Sequence, residues 1–515
     1  MRKQIIGIAL LALLGTNVAA QDSLRINKYD GSGTHFALKD IQSLRLADQT
    51  DTTTASKLLP AVLGQVQNLR LFSRMLQETG WDKKLTAYCD MDYVQLSENF
   101  PARRLLGYTV FAETDETLAQ HWNIRVQTDE QLNITNWAEC AEALEAKCRQ
   151  VYPTAEAKDW TDADNAVNRF VAYHLIKGRY TKDQLVAHGN ETGYTPATGT
   201  LGVSVSTYHE TMGNNRALLK FTEGNSTDGL RINRCCSKRD PRTYEELTVE
   251  RPGISISAPD DNAPKAENGN YYLLGEPLCY TPEVCEQALD GCLRFDVASL
   301  LPELASNGMI DNNEAKSYDI PAGFFENLTW NHETSLCYRI GPAQQNPAAY
   351  NDEFNFRGRY EFCLRLPPVP RVGTYQLRIG MVNYNLRGMY QCYVGAKPTP
   401  TEASIPLTDG RLNIVTDADT WNTEAGSEAA LRTDAFLRQK GYMKAPRLYT
   451  VGNRTLADNP QALRQIVATM YMQPSQTYYL RIKNVLESTN LTGFLDYIEL
   501  VPKHFAEENP EMDAW

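Results

Sequence analysis

Two neighbouring residues, Tyr173 and His174, close the apolar run of "FVAYHLIKGRYTKDQL" (170–185). A histidine so placed has the right chemistry for a general base, and equally for a buried structural hydrogen bond. A second set, Tyr384, Asn385, Arg387 and Trp421, falls in turn-rich stretches between strand-like runs. Aromatic faces stack on sugar rings while amides and guanidinium groups bond their hydroxyls, so these four are candidate ligand contacts. Asp417, Asp419 and Glu424 could hold calcium, but their segment lacks the glycine that an EF-hand loop needs. The cysteines 235, 236, 279, 285 and 292 contain no Cys-x2-Cys pair and no histidine spaced to complete a zinc site. Neither a metal nor a cofactor is expected. There is also no Gly-x-Ser-x-Gly, no His-Glu-x-x-His and no phosphate loop, so no catalytic residue is assigned. A carboxylate pair for glycoside hydrolysis would leave no sequence signature, since its separation is spatial.

The elements that position these residues differ between the two halves. Around His174, Val167, Phe170, Val171 and His174 recur at i, i+3, i+4 and i+7, which places the histidine on the buried face of a helix capped by Asp159 or Thr161 and stopped at Gly178. Other helical runs cover the region from Leu58 to Gly80, and strand-like pieces such as "LGVSVSTYHE" and "RALLKFTEG" alternate with turns. From about Cys292, period-two runs dominate ("RYEFCLRL", "GTYQLRIGMV", "GMYQCYVG", "GFLDYIELV"), with only "LADNPQALRQIVATM" keeping a helical look. The first half reads as mixed α and β and the second as an antiparallel sandwich.

The N-terminal "MRKQIIGIALLALLGTNVAAQ" has basic, apolar and small-residue regions in the order of a secretory signal, expected to span 1–20. No other run is long and apolar enough for a membrane-spanning helix. A formal net charge of -12 repels phosphate backbones, so nucleic acid is not an expected partner. Eleven cysteines make at least one thiol unpaired within the chain. Cys140 and Cys148 are i and i+8 on one helix, about 12 Å apart along its axis, and cannot bridge. Cys337 and Cys363 each share a strand face with an arginine and are expected to point outward, where they pair if their strands are neighbours; Cys392 is expected to be buried.

Several segments of the first half, in order, resemble the fasciclin (FAS1) family: "LRLFSRMLQETGWDKKL" its first helix, "YTVFAETDETL" its Thr-Val-Phe-Ala block, "VAYHLIKGRYTKDQL" its Tyr-His block and "NGNYYLLGEPL" its closing strand. The resemblance spans roughly Leu58 to Tyr280 and implies that Tyr173 and His174 are a packing and adhesion motif. Glu113 stands where the family usually has Pro, Tyr272 where it often has His, and Gly275 where Asp is common. The second half resembles the jelly-roll domains that accompany fasciclin domains in exported bacterial envelope proteins, and more loosely galactose-binding-like modules. The resulting expectation is a signal peptide (1–20), a short hairpin and polar linker (21–57), an α+β fasciclin-like domain with insertions (58–288) and an all-β jelly-roll sandwich (289–515). The expected function is non-catalytic adhesion, through a glycan or an extracellular protein ligand, by a protein exported to the periplasm, cell surface or medium. The alternatives are a protein scaffold without a sugar ligand, or an accessory to a carbohydrate-active enzyme.

Overall fold

The alternation in "SLRIN" and "GTHFA" produces an antiparallel pair, Ser23–Asn27 with Gly33–Ala37, in a unit of its own that ends at Thr54. The computed structural model describes residues 23–27, 33–37 and 55–515 apart from 94, 96–99, 102, 193–201, 215, 225–228, 311–314, 342–347, 412–420, 422–426 and 452–453. The expected signal segment, most of the polar linker and the trio Asp417, Asp419 and Glu424 lie outside the described residues.

From Ala55 onward, helices such as Arg70–Glu78 bury one apolar face, while Ala166–Tyr173 is buried at every residue but Arg169. Arg70–Glu78 places Leu71, Phe72, Met75 and Leu76 inward at three- and four-residue spacing, and Gly80 leaves the helix at φ 73°, a conformation that costs a glycine little. Asp115–Trp122 begins at Thr114, whose side-chain oxygen accepts from Thr117 N at 3.0 Å. The helix carrying Tyr173 is Ala166–Tyr173, and its cap is Asn165, which accepts from Val167 N (2.8 Å) and Asn168 N (3.3 Å). Asp159 and Thr161 do not cap it: Asp159 is spent on a local turn, accepting from Thr161 N and Oγ1. Nor does the helix reach Gly178. Leu175–Lys177 is a strand, because its backbone completes a ladder with Tyr108–Val110.

The helices pack against a seven-stranded sheet in the order 175–177, 108–113, 269–274, 254–257, 231–232, 218–223, 205–210. Only Tyr108–Glu113 and Gly269–Leu274 run parallel, joined by a crossover of more than a hundred residues. The sheet curls until its ends nearly meet: Ile176 bridges Thr211, and Met212 N donates to Leu175 O at 2.8 Å.

Among the described residues, the strands of the second half pair antiparallel throughout. Three sheets carry it, in the orders 293–296, 497–502, 373–382, 462–472, 442–444, then 316–320, 334–340, 352–358, 492–495, and finally 328–330, 361–365, 479–484, 389–395, 408–409. They face one another around a shared core that includes Phe356, Phe362, Leu377, Val467, Leu480 and Ile498, a sandwich-like arrangement. "LADNPQALRQIVATM" is not a helix. It holds one 3-10 turn, Leu456–Asp458, followed by the eleven-residue strand Ala462–Met472. Helix in this half instead occupies Glu428–Gln439, capped by Ser427, and the shorter Pro302–Ser306 and Lys503–Glu508. The two halves pack as one compact unit, with Tyr208, Leu218 and Cys235 joining the sandwich core and Tyr350, Leu448, Tyr449 and Tyr497 packing beside Phe111, Phe221 and Tyr272.

All eleven cysteines are free thiols. Cys337 is buried, contrary to the outward placement expected of it, with its Sγ 3.1 Å from Ser317 Oγ, while Arg339 on the same strand keeps 40% of its side chain exposed. Cys363 belongs to a different sheet, so the two do not pair. Cys392 is fully buried.

Candidate functional site

His174 is sealed in the molecule, with no exposed surface. Its Nδ1–H donates to Phe170 O at 2.7 Å, and its Nε2 lies 2.7 Å from Glu113 Oε1, which also accepts from Leu278 N at 2.9 Å. With Nδ1 committed as a donor, one proton is shared between Nε2 and the Glu113 carboxyl. Rings of Phe72 and Phe170 cover the imidazole at 5.4 and 4.5 Å. Such a pair ties the strand Tyr108–Glu113 to the helix Ala166–Tyr173 and leaves no path for a substrate proton. Tyr173 is equally committed: its hydroxyl donates to Leu218 O (3.1 Å) and accepts from Asn233 Nδ2 (2.9 Å).

The four expected ligand contacts do not form one site. Tyr384 and Asn385 are exposed on the turn after Gly373–Val382. Arg387, on the same turn, is only 5% exposed; its Nε donates to Val382 O (2.8 Å) and its Nη1 to Thr492 Oγ1 (3.0 Å), over the Phe494 ring at 4.8 Å. It closes the turn. Trp421 is half-buried, and its indole N–H donates to Ala457 O at 3.2 Å on a different element.

A cavity of about 350 Å³ lies where the curled sheet meets the sandwich. Glu210, at the end of Val205–Glu210, accepts from Arg216 Nε at 2.7 Å and from both terminal nitrogens of Arg365 at 3.2 Å. Arg216 also reaches Thr477 Oγ1 and Leu366 O, each at 2.9 Å, and Arg365 Nε reaches Asn327 Oδ1 at 2.8 Å. One carboxylate thus joins two guanidinium groups from opposite halves of the chain. Arg216 holds φ 47°, a left-handed conformation that a branched network of this kind can maintain against its cost.

His209 and Tyr180 also line this cavity, their rings edge to face at 4.7 Å. Burial pushes His209 down to about 4, against the smaller opposing effect of its bond to Leu185 O, so the imidazole is neutral near pH 7. Its Nε2–H donates to that carbonyl at 3.0 Å, leaving Nδ1 as an acceptor. The cavity therefore combines an aromatic and imidazole surface with planar groups that can bond neighbouring hydroxyls in pairs. None of these residues stands in a local motif. Glu210 and Arg365 are 155 positions apart and meet only because the sheet curls against the sandwich.

No protein-family model matches the chain, and no curated protein matches it. Among solved structures it is similar to a family 35 carbohydrate binding module from Clostridium thermocellum, at 11% identity and a TM-score of 0.19, over 36% of this chain and 98% of the module. It is also similar to a Paenibacillus xanthan lyase, at 10% identity and a TM-score of 0.21, over 56% of this chain and 22% of the lyase. A third is the exo-beta-1,3-galactanase from Phanerochaete chrysosporium, at 8% identity and a TM-score of 0.18, over 57% of this chain and 68% of the galactanase.

Proposed function

We propose that this is an exported, non-catalytic protein that binds a glycan in the cavity between its curled sheet and its sandwich, with a fasciclin-like first half acting in adhesion. The observation that carries the glycan reading is the network of Glu210, Arg216, Arg365 and Asn327 along a cavity large enough for a small saccharide. The fasciclin-like reading draws support from the adjacency of "YTVFAE" and "GNYYLL" as parallel neighbours, and from the Tyr-His helix bonded to the first of them. The non-catalytic reading draws support from the sequestration of His174.

Isothermal titration of the full chain with a panel of neutral oligosaccharides, with reducing-end release followed in parallel, tests this. Saturable binding without product release is expected, weakened about tenfold by Glu210→Gln, which keeps the side chain's shape but removes the charge that aligns both arginines. Binding to no saccharide, or binding unaffected by that change, would turn the assignment toward a protein-binding scaffold. Product release would make the protein an enzyme.

A further inference from the structure

A second cavity, of about 170 Å³, is bounded by the strands Val205–Glu210 and Leu218–Glu223, the ribbon Cys235–Arg239 with Glu246–Arg251, and the segment 503–515. Tyr208 and Lys220 are directly opposed across the two strands and so share a face, and both line the cavity. Tyr208 is only 8% exposed, with its ring 5.5 Å from that of Phe295, yet among the described residues nothing hydrogen-bonds its hydroxyl. Among the same residues no carboxylate lies within ion-pair distance of the Lys220 ammonium. Two guanidinium groups stand beside them. Arg239 lies over the Tyr244 ring at 4.4 Å and shares Glu246 with Arg234, at 2.9 and 2.8 Å. Arg294, 7% exposed, is bonded to Glu499 Oε1 at 2.8 Å. Asp290, the one side-chain carboxylate of the lining among the described residues, is held by Arg371 and by His504 at 3.2 Å, and the terminal oxygen of Trp515 accepts from Arg294 Nη2 at 2.7 Å.

Arg239 and Arg294 are thus neutralised by their own carboxylates, which leaves Lys220 as the one cation of the lining without a carboxylate partner among the described residues. The stacked rings of Tyr244 and Trp515, 5.1 Å apart, supply an apolar wall beside the charge. We infer that this cavity binds a small carboxylate ligand, with the Lys220 ammonium as its ion partner, the Tyr208 hydroxyl as a second donor and Tyr244 and Trp515 against its body. An acidic sugar and a simple organic acid both present that group. The inference does not depend on the saccharide reading of the larger cavity.

Burial, and after it the charge of Arg239, brings Lys220 down to about 8, against the opposing pull of Cys235, Glu246 and Cys236. A carboxylate arriving next to the ammonium favours its charged form, so binding near pH 8.5 takes up a proton.

The test is calorimetric titration of the full chain with galacturonate, benzoate and galactose. Galacturonate or benzoate is expected to saturate, galactose not to compete, and Lys220→Met to weaken carboxylate binding at least about tenfold. Tyr208→Phe is expected to weaken it severalfold. Preference between the two acids identifies the source of the carboxylate. Should Lys220→Met fail to fold, Tyr208→Phe and the proton uptake of the unaltered protein, read in buffers of different ionisation enthalpy at pH 8.5, still decide. Failure of both acids to bind overturns the inference, as does affinity within twofold of the parent in both variants, or binding without proton uptake.

Discussion

The proton shared by His174 and Glu113 sets a clear expectation for single substitutions. Glu113→Ala leaves a buried imidazole nitrogen without its partner and Leu278 N–H without its acceptor, and breaking a buried pair on one side costs roughly 3–5 kcal/mol. Urea unfolding should show that loss. Glu113→Gln, which keeps an acceptor for Leu278 N–H and a polar neighbour for the ring, should cost clearly less; equal losses for the two would contradict the shared-proton arrangement. The histidine's burial could be read from helical spacing, but its partner could not. Glu113 stands out in the sequence only as a departure from the fasciclin-like block, and the structure gives it a purpose 61 positions from the histidine. Arg387 teaches the converse. Its type suits a sugar hydroxyl, yet its distance from solvent depends on Thr492 and Phe494, more than a hundred residues later. Arg387→Ala is therefore expected to lower stability by roughly 2–4 kcal/mol in the same assay, whereas Tyr384→Ala on the exposed tip should stay within about 0.5 kcal/mol.

At the scale of elements, the start of the Tyr-His helix turns on which of several polar residues accepts the free N–H groups. Asp159, Thr161 and Asn165 are all chemically able, and the choice is made by the chain's path through the turn at 159–165. Asn165→Ala should cost about 1–2 kcal/mol, and Thr161→Ala little, by chemical denaturation. A larger loss from Thr161→Ala would restore the earlier capping assignment. The strand Ala462–Met472 shows why alternation can hide. Arg464 and Gln465 are consecutive and both buried, one bonded to Glu499 and Lys444 O, the other donating to Thr408 Oγ1. Buried polar residues erase the period-two signal, and the opposing strand adds an irregularity between Leu377 and Arg378. Strands with apolar inner faces, such as Tyr479–Asn484, were legible for the opposite reason: Leu480 and Ile482 are buried while Tyr479, Arg481 and Lys483 are partly exposed.

Across the whole molecule, buried charge controls how stability should change with pH. Glu499, fully buried, is met by Arg294, Arg378 and Arg464; burial would raise it, but the three guanidinium groups hold it down at about 2. Its contribution is present above its ordinary value of 4.5 and is lost as pH falls toward 2. His209, kept neutral by burial, likewise costs stability as pH falls from 6.5 toward 4. Other groups act on the alkaline side. Burial raises Asp296 to about 7, with the bond from Ala298 N opposing and Glu191 adding to the rise, and it raises Asp352 and Asp496 well above the usual carboxyl range. Burial alone would lower His188, but the carboxylates of Glu191 and Glu223 bring it up to about 9. Each of these four binds its proton more tightly in the folded state, so each contributes stability that is lost as pH rises through its folded value. Lys220, at about 8, acts with the opposite sign above that value, so pH 6.5–8 is the window in which the buried carboxyls and His188 dominate. In that window stability should fall with rising pH, by roughly 2 kcal/mol from His188 alone over one and a half pH units. Melting temperatures measured at constant ionic strength from pH 6.5 to 8 should decline, and both His188→Gln and Asp296→Asn should flatten the decline. A melting temperature that rises across the window, or a slope that neither substitution alters, would mean that these groups are not the protonation sites that couple the two halves to pH.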